Sequence, residues 1–137
     1  MYRLVYYSRN SCPNLGHQEI DAILRVSRRN NAAGGVTGAL MFDEGYFAQV
    51  LEGAQSAIEE TFERIQMDPR HYDVQIVDFS PVSDRTFHHW AMTYTGANLS
   101  APARKLINAS GGFDPRSLSG QEIFLQVASL VFAEGRP

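Results

Sequence analysis

Two apolar runs separated by a very short turn limit the fold of this chain more than any other feature. The runs GVTGALMF and YFAQVLEG, at residues 35–42 and 46–53, flank the turn letters DEG. Strands joined by so short a turn pair as an antiparallel hairpin. Apolar residues at helical spacing at about 17–31, and again at about 56–69, predict a helix on each side. The fold must therefore hold a hairpin between two helices.

Three further runs complete the order of elements. YRLVYYS at 2–8 precedes the first helix, and DVQIVDFSPV and HHWAMTYTG, at 73–82 and 88–96, follow the second. All three are rich in β-branched or aromatic residues and predict strands. The order βαββαββ resembles the ferredoxin-like split βαβ arrangement, an α+β fold. We expect a five-stranded mixed sheet with two helices on one face, and strands one and three as central neighbours.

The chain after residue 96 has a different sequence pattern. It predicts a short helix, a Gly-Gly loop and a longer helix. Ser119 and Glu122 have the spacing of a capping box at the start of this longer helix, as Ser56 and Glu59 have near the start of the second helix. The longer helix carries one apolar stripe, formed by Ile123, Phe124, Val127, Leu130 and Val131. We expect a domain at 1–96 and a two-helix extension at 97–137 that packs on the exposed sheet face or on another subunit.

Composition excludes several classes of protein. The chain has 137 residues, enough for one domain with a real core. Its net charge of −3 does not predict the basic surface that nucleic-acid-binding proteins need. No apolar run approaches the roughly 20 residues needed to span a bilayer, and the N-terminus lacks a secretory pattern. We expect a cytoplasmic protein without a membrane or nucleic-acid partner, in which the single cysteine, Cys12, is structurally incidental.

The second strand of the hairpin contains a polar side chain, Gln49, among apolar neighbours. Alternation along the strand places the Gln49 amide on the same face as two large apolar side chains. A buried amide without partners costs about 1 to 3 kcal/mol. Tyr6 shares the inner face of the first strand if Arg3, on the other face, points to water. Asn31 ends the inward face of the first helix. These three groups predict either a buried polar network or a site for a planar polar ligand.

Two other kinds of chemistry have weaker support. His88 and His89 are neighbours in a predicted strand and would point to opposite faces, a poor arrangement for a metal, so we expect no metal site. A small hydrolase of the acylphosphatase type shares the split βαβ topology, and would need a phosphate loop after the first strand. SRNSCPNLG, with Arg9, matches such a loop only loosely.

The same segments resemble the BLUF family, sensors of blue light using FAD. The resemblance runs over residues 2 to about 96 and is carried in order by Asn-Asn before a Gly-x-Thr-Gly hairpin, the strand FAQVLEG and the strand WAM. The tail resembles the extension of short, stand-alone BLUF proteins. The resemblance implies a photoreceptor rather than an enzyme, with FAD as chromophore and FMN or riboflavin as alternatives.

The resemblance also implies roles for individual residues. Tyr6 matches the photoactive tyrosine and Gln49 the glutamine that bonds to it and to the flavin. Light would draw an electron and a proton from Tyr6 and leave the Gln49 amide rotated or tautomerised, in a red-shifted signalling state. Trp90 and Met92 match the signalling pair on the fifth strand. The other matched flavin-contact positions are Ile23, Ser27, Asn30, Asn31, Phe47, Arg64, Asp68 and His71.

Two alternatives stay open on the sequence. Spacing counted from Asn31 points to Tyr7 as the photoactive residue, whereas the RLVY strand points to Tyr6, which we prefer. A light-insensitive module for ligand binding or interaction would also fit this scaffold. With no effector domain expected in the chain, the signal would pass to a separate protein, and exposed apolar positions in the tail favour a homo-oligomer.

Overall fold

The computed structural model describes residues 1–11, 17–42, 45–88, 93–95 and 115–134. Strands and helices alternate along these residues, and a single 3-10 turn precedes the last helix. The elements are β1 (Tyr2–Asn10), α1 (His17–Gly34), β2 (Thr37–Phe42), β3 (Tyr46–Gly53), α2 (Gln55–Gln66), β4 (His71–Pro81), β5 (Thr93–Thr95), the turn Pro115–Ser117 and α3 (Gly120–Glu134).

The strands form one sheet in the order β4-β1-β3-β2-β5. The first four pair antiparallel with their neighbours, and β5 runs parallel to β2. The prediction was an α+β fold with a five-stranded mixed sheet, and of it the α+β class with four antiparallel strands is confirmed. The pairing of β1 with β3 at the centre places Tyr6 directly opposite Gln49. β4 ends at Pro81, as predicted, and its pairing with β1 shifts register twice.

The last predicted strand is described over part of its sequence pattern. β5 is described over Thr93–Thr95, and His88 lies in a turn. The prediction that His88 belongs to a strand is therefore wrong, because hydrogen bonds that involve the side chains of Arg85 and Glu52 hold the segment before it. Residues 89–92, with Trp90 and Met92, lie outside the described residues, as do Cys12 and residues 96–114. The two-helix extension and the boundary at 96 stay predictions.

Both faces of the sheet are covered. On one face, Leu4, Phe47 and Leu51 pack against buried side chains of α1 and α2. The other face packs against α3, and the predicted apolar stripe of α3 forms that contact, with four of its members buried and Phe124 half-buried. None of the described helices is long and apolar enough to cross a membrane. The sheet is thus the middle layer, with the candidate site on the α1 and α2 side.

The end of α1 is set by a glycine rather than by the Asn-Asn pair. The helix continues to Gly34, and Gly35 follows with a φ of 71°. The Val36 amide donates to the Asn31 carbonyl at 2.8 Å and the Gly35 amide to the Ala32 carbonyl at 3.3 Å, which is a Schellman motif. The predicted end near residue 31 is therefore too early, and Asn31 lies inside the helix with its side chain buried.

The two predicted capping boxes have different outcomes. At α3, the Ser119 amide donates to Glu122 Oε1 at 3.0 Å and the Glu122 amide to Ser119 Oγ at 3.1 Å, so this box is confirmed. The box predicted at Ser56 and Glu59 is wrong. The N-cap of α2 is Ala54, two residues before Ser56, and it makes no side-chain cap hydrogen bond.

Gly38 permits the close pairing of β2 with β3. A Cβ placed there would lie 2.2 Å from the Val50 carbonyl oxygen, which is backbone and cannot move aside cheaply. We expect Gly38→Ala to lower the free energy of unfolding by about 3 kcal/mol, measured by urea denaturation. Gly34→Ala is the matched control, because its Cβ would meet only ordinary contacts at 3.9 Å. Equal stability of the two variants would contradict this reading of the hairpin.

Candidate cofactor-binding site

Two adjoining cavities lie between the sheet and the helix pair. They enclose about 500 and about 490 Å³ of empty space, open solvent included. Both cavities share six lining residues: Ile23, Ser27, Gln49, Ile65, Asp68 and Arg70. The space between α1 and α2 is therefore one continuous candidate site with two compartments.

Tyr6 and Gln49 meet at the base of the first compartment. The Tyr6 hydroxyl donates to Gln49 Oε1 in a short, buried hydrogen bond. The Tyr6 ring packs edge-on to Phe62 of α2 at 5.4 Å between centroids. Burial raises the pKa of Tyr6 well above its ordinary value, and the negative charge of Asp68 adds to the rise. Tyr6 therefore stays a neutral phenol that donates a hydrogen bond to the Gln49 amide oxygen.

Tyr6 and Tyr7 lie on opposite faces of β1. Tyr6 packs on the α1 and α2 side, whereas Tyr7 packs with the cluster beneath α3 and contacts the Tyr46 ring at 6.2 Å. The predicted inner face is confirmed, but the reason given for it is wrong. Arg3 does not point to open water: its side chain is only 17% exposed and pairs with buried Glu52.

The structure brings all of the predicted cofactor contacts to these cavities. The first compartment is lined by Tyr6, Phe47 and His71 in addition to the shared residues, and the second by Asn30, Asn31 and Arg64. Their part in holding a cofactor stays a prediction. Sequence reasoning missed Val26, Leu40, Thr61, Ile65 and Arg70, which complete the lining.

Arg70 is the most informative of the missed residues. Its guanidinium binds the Asp68 carboxylate through three hydrogen bonds of 2.6 to 3.1 Å, and its backbone amide donates to the same group. Burial acts to raise the pKa of Asp68, but these Arg70 hydrogen bonds, the Arg70 charge and the nearby His71 hold that pKa below its usual value. The turn before β4 thus places a fixed cation and a fixed anion in both compartments. The basic residue close to Asp68 in the segment DPRH is the sequence signal that could have indicated Arg70 as a lining residue.

His71 fastens β4 to the two elements beside the cavity. Its Nε2 lies 2.7 Å from the Ile65 carbonyl oxygen of α2, and its Nδ1 lies 2.7 Å from Ser8 Oγ of β1. A carbonyl can only accept, so Nε2 carries a proton, and Nδ1 meets the Ser8 hydroxyl, which can both donate and accept. The ring also stands perpendicular to Phe47 at 6.2 Å. This wall of the cavity is therefore held by fixed hydrogen bonds.

The low pKa of Asp68 predicts a pH effect on stability. A carboxylate with a depressed folded pKa stabilises the fold above its unfolded pKa, near 3.9, and that contribution disappears as the pH falls through the folded pKa. We expect Asp68→Asn to be destabilised by at most about 1 kcal/mol at pH 7, since solvent screens this pair. The difference from wild type should vanish near pH 2 in urea denaturation. Asp84→Asn, at an exposed position, is the control, and a pH-independent difference for Asp68→Asn would contradict the assignment.

The donor set suits an aromatic heterocycle with a polar edge. Apolar side chains offer flat walls, and the amides of Asn31 and Gln49 with the Arg70 guanidinium offer hydrogen bonds to carbonyls and ring nitrogens. Within the described ranges no group of three or more metal-ligating side chains occurs. Fold and site together define an α+β protein whose cavity between two helices has the lining that a planar organic cofactor requires.

Comparison with known proteins names the family. The family profile described as BLUF, sensors of blue light using FAD, matches residues 1–93. The chain therefore belongs to the BLUF family. It is 36% identical over 91 residues to the photoactivated adenylate cyclase subunit beta of Euglena gracilis, covering 66% of this chain and 10% of the cyclase subunit. The chain thus spans about a tenth of the length of such curated relatives.

Solved structures resemble the chain over nearly its whole length. BlsA in its photo-activated state has a TM-score of 0.83 at 29% identity, covering 99% of this chain and 98% of BlsA. The dark-state structure of BlrB, a BLUF protein, has a TM-score of 0.74 at 30% identity, covering 96% and 95%. Residues 1–93 therefore form a BLUF domain, of the family of blue-light sensors that use FAD.

Proposed function

We propose that the cavity between α1 and α2 holds the flavin ring and that Tyr6 and Gln49 form the light-operated hydrogen-bond switch. The observation that carries the proposal is the buried bond from the Tyr6 hydroxyl to Gln49 Oε1, at a point where both residues line the first compartment. When bound, the flavin absorbs blue light and becomes an oxidant for a nearby phenol. Tyr6 is the phenol in the cavity.

Tyr6 and Gln49 then carry out the chemistry that belongs to the chain. Tyr6 would give an electron and its hydroxyl proton to the bound flavin and would regain both, so that no net reaction remains. Gln49 accepts from Tyr6 through Oε1, and rotation or tautomerisation of the amide exchanges the end that faces the phenol. A carboxamide suits this switch because it carries a donor and an acceptor on one rigid group. A changed hydrogen bond from the rearranged Gln49 amide to the flavin would lower the excitation energy and give the red-shifted state.

The remaining lining residues have separate tasks in the proposal. Asn31, buried within α1, and Asn30 would bind the polar edge of the ring, with Arg70 as a further donor. Ile23, Ser27 and Phe47 would line its faces. Arg64, Asp68 and His71 would lie toward the ribityl and phosphate groups, where a guanidinium suits phosphate geometry. Support comes from the position of all these side chains around one continuous space.

The output of the switch stays a set of predictions. We propose that the five-stranded sheet, with Trp90 and Met92 before β5, passes the change to a C-terminal two-helix extension. A homo-oligomer, a separate signalling protein and a cytoplasmic location remain expectations from the sequence. The relative named as a photoactivated adenylate cyclase carries an effector activity, and this chain would act on an effector as a partner.

An absorption spectrum tests the proposal directly. Purified protein loaded with FAD should be yellow in the dark, should shift to longer wavelength under blue light, and should return in the dark. Free FAD in the same buffer is the control, and it should show no reversible shift. A protein that takes up FAD but shows the same spectrum before and after illumination would overturn the proposed switch.

A further inference from the structure

Glu52 is a fully buried carboxylate on the face of β3 opposite the cavity. It accepts hydrogen bonds from Arg3 Nε at 2.9 Å and from the backbone amides of Thr86 and Phe87 at 2.8 and 2.9 Å. Two successive backbone amides on one carboxylate oxygen form a strong charge-assisted site. One side chain thereby joins the start of β1, the end of β3 and the segment 85–88.

The segment 85–88 is held to the sheet by further side-chain bonds. Arg3 Nη2 donates to Thr86 Oγ1 at 2.8 Å. Arg85 donates to Thr37 Oγ1 at 2.8 Å, to the Glu52 carbonyl at 2.9 Å and to the Gly35 carbonyl at 2.7 Å. These bonds replace the strand pairing that the sequence pattern predicts for His88. The position of the segment therefore depends on β3 and on the end of α1.

The same segment also contacts α3. The Phe87 ring is buried and lies 5.7 Å from the Phe132 ring, nearly parallel, and 6.4 Å from the Phe124 ring. The Arg3 guanidinium lies 4.0 Å above the Phe124 ring. A change in the Glu52 bonds would therefore reach α3 through two aromatic contacts.

We propose that Glu52 is a positioning residue that couples the strand carrying Gln49 to helix α3, through its bonds to Arg3, Thr86 and Phe87. Gln49 and Glu52 stand on opposite faces of the same central strand, so a backbone displacement of β3 at Gln49 acts on both layers. Apolar residues often replace a buried ion pair without loss of stability. Glu52, however, also accepts from the Thr86 and Phe87 amides, which an apolar residue would leave without an acceptor. This inference rests on the proposed light switch and adds a route from the cavity to the opposite face.

Two double variants separate hydrogen bonding from packing. In Arg3→Gln/Glu52→Gln, the side-chain oxygen introduced at position 52 can accept from the backbone amides of Thr86 and Phe87. The side-chain nitrogen at position 52 can donate to the side-chain oxygen introduced at position 3. In Arg3→Met/Glu52→Met, volume is kept but these bonds are lost. The single variant Glu52→Gln leaves Arg3 facing an amide donor, and should raise the unfolding equilibrium constant about a hundredfold. Arg9→Gln is the control on the same strand, because it breaks an exposed ion pair with Asp73.

The readout is hydrogen exchange of α3 amides, in the dark and under blue light, together with the absorption spectrum. Wild type, Arg9→Gln and the Gln pair should show the red shift and a change in α3 exchange of at least about fivefold on illumination. The Met pair should show the red shift without that change. An equal α3 change in the Gln and Met pairs would overturn the role of Glu52.

The two proposals fail in distinguishable ways. A wild type that binds FAD but shows no red shift overturns the light switch. The dark samples still test Glu52, since α3 amides should exchange faster in the Met pair than in the Gln pair. Equal dark exchange in both pairs would show that the Glu52 bonds do not position α3, whatever the spectrum does.

Discussion

Tyr6→Phe should retain bound flavin and lose the red-shifted state completely. The phenylalanine ring fills the same space beside Phe62 and leaves the cavity walls unchanged. It has no hydroxyl to donate to Gln49 Oε1 and no proton that can leave after oxidation. The flavin should therefore be excited as before without any lasting rearrangement. Absorption spectra in the dark and under steady blue light measure this, with flavin content determined from the dark spectrum.

Tyr7→Phe is the matched control for this variant. Tyr7 is the next residue on the same strand, but it lies on the α3 side and packs against Tyr46. We expect it to shift and recover as wild type does. A normal response in Tyr6→Phe together with a lost response in Tyr7→Phe would contradict the assignment of the photoactive residue.

Gln49→Leu should also abolish the red shift. Leucine has a similar volume and suits the apolar face that Gln49 shares with Phe47 and Leu51. It offers neither an acceptor to Tyr6 nor a donor to the ring, so no group remains that could exchange ends. The Tyr6 hydroxyl would lose its buried acceptor, at a cost of about 1 to 3 kcal/mol. Absorption spectroscopy measures the first effect and urea denaturation the second.

An exposed glutamine on the neighbouring sheet edge provides the control for Gln49→Leu. Gln75 lies on β4 and bonds only to the exposed Asp73 among the contacts described for it. Gln75→Leu should leave the spectrum, the shift and the recovery unchanged. If Gln49→Leu responded to light with a normal red shift, rotation of the amide would not be the switch, although Tyr6 could still be the electron donor.

The sequence by itself determined the local features of this protein. The alternation of YFAQVLEG placed Gln49 on the same face as Phe47 and Leu51, which α1 and α2 cover. The apolar stripe of α3 predicted the buried side of that helix. The Ser119 and Glu122 box predicted where α3 starts. Each of these depends on residues within a few positions of one another, whose period or hydrogen bonds can be read without knowing the fold. The family motifs added the candidate site residues by resemblance.

Only the tertiary structure decided which distant groups meet. Arg3 was expected in water, yet it pairs with Glu52, 49 positions away along the chain, and stacks on Phe124 of a helix near the C-terminus. His88 was predicted in a strand but lies in a turn, because Arg85 and Glu52 hold the preceding segment through hydrogen bonds. The energy of a buried charge depends on partners that sequence periodicity does not encode. Long-range electrostatics and packing, rather than local propensity, therefore decided how β3, the segment 85–88 and α3 contact one another.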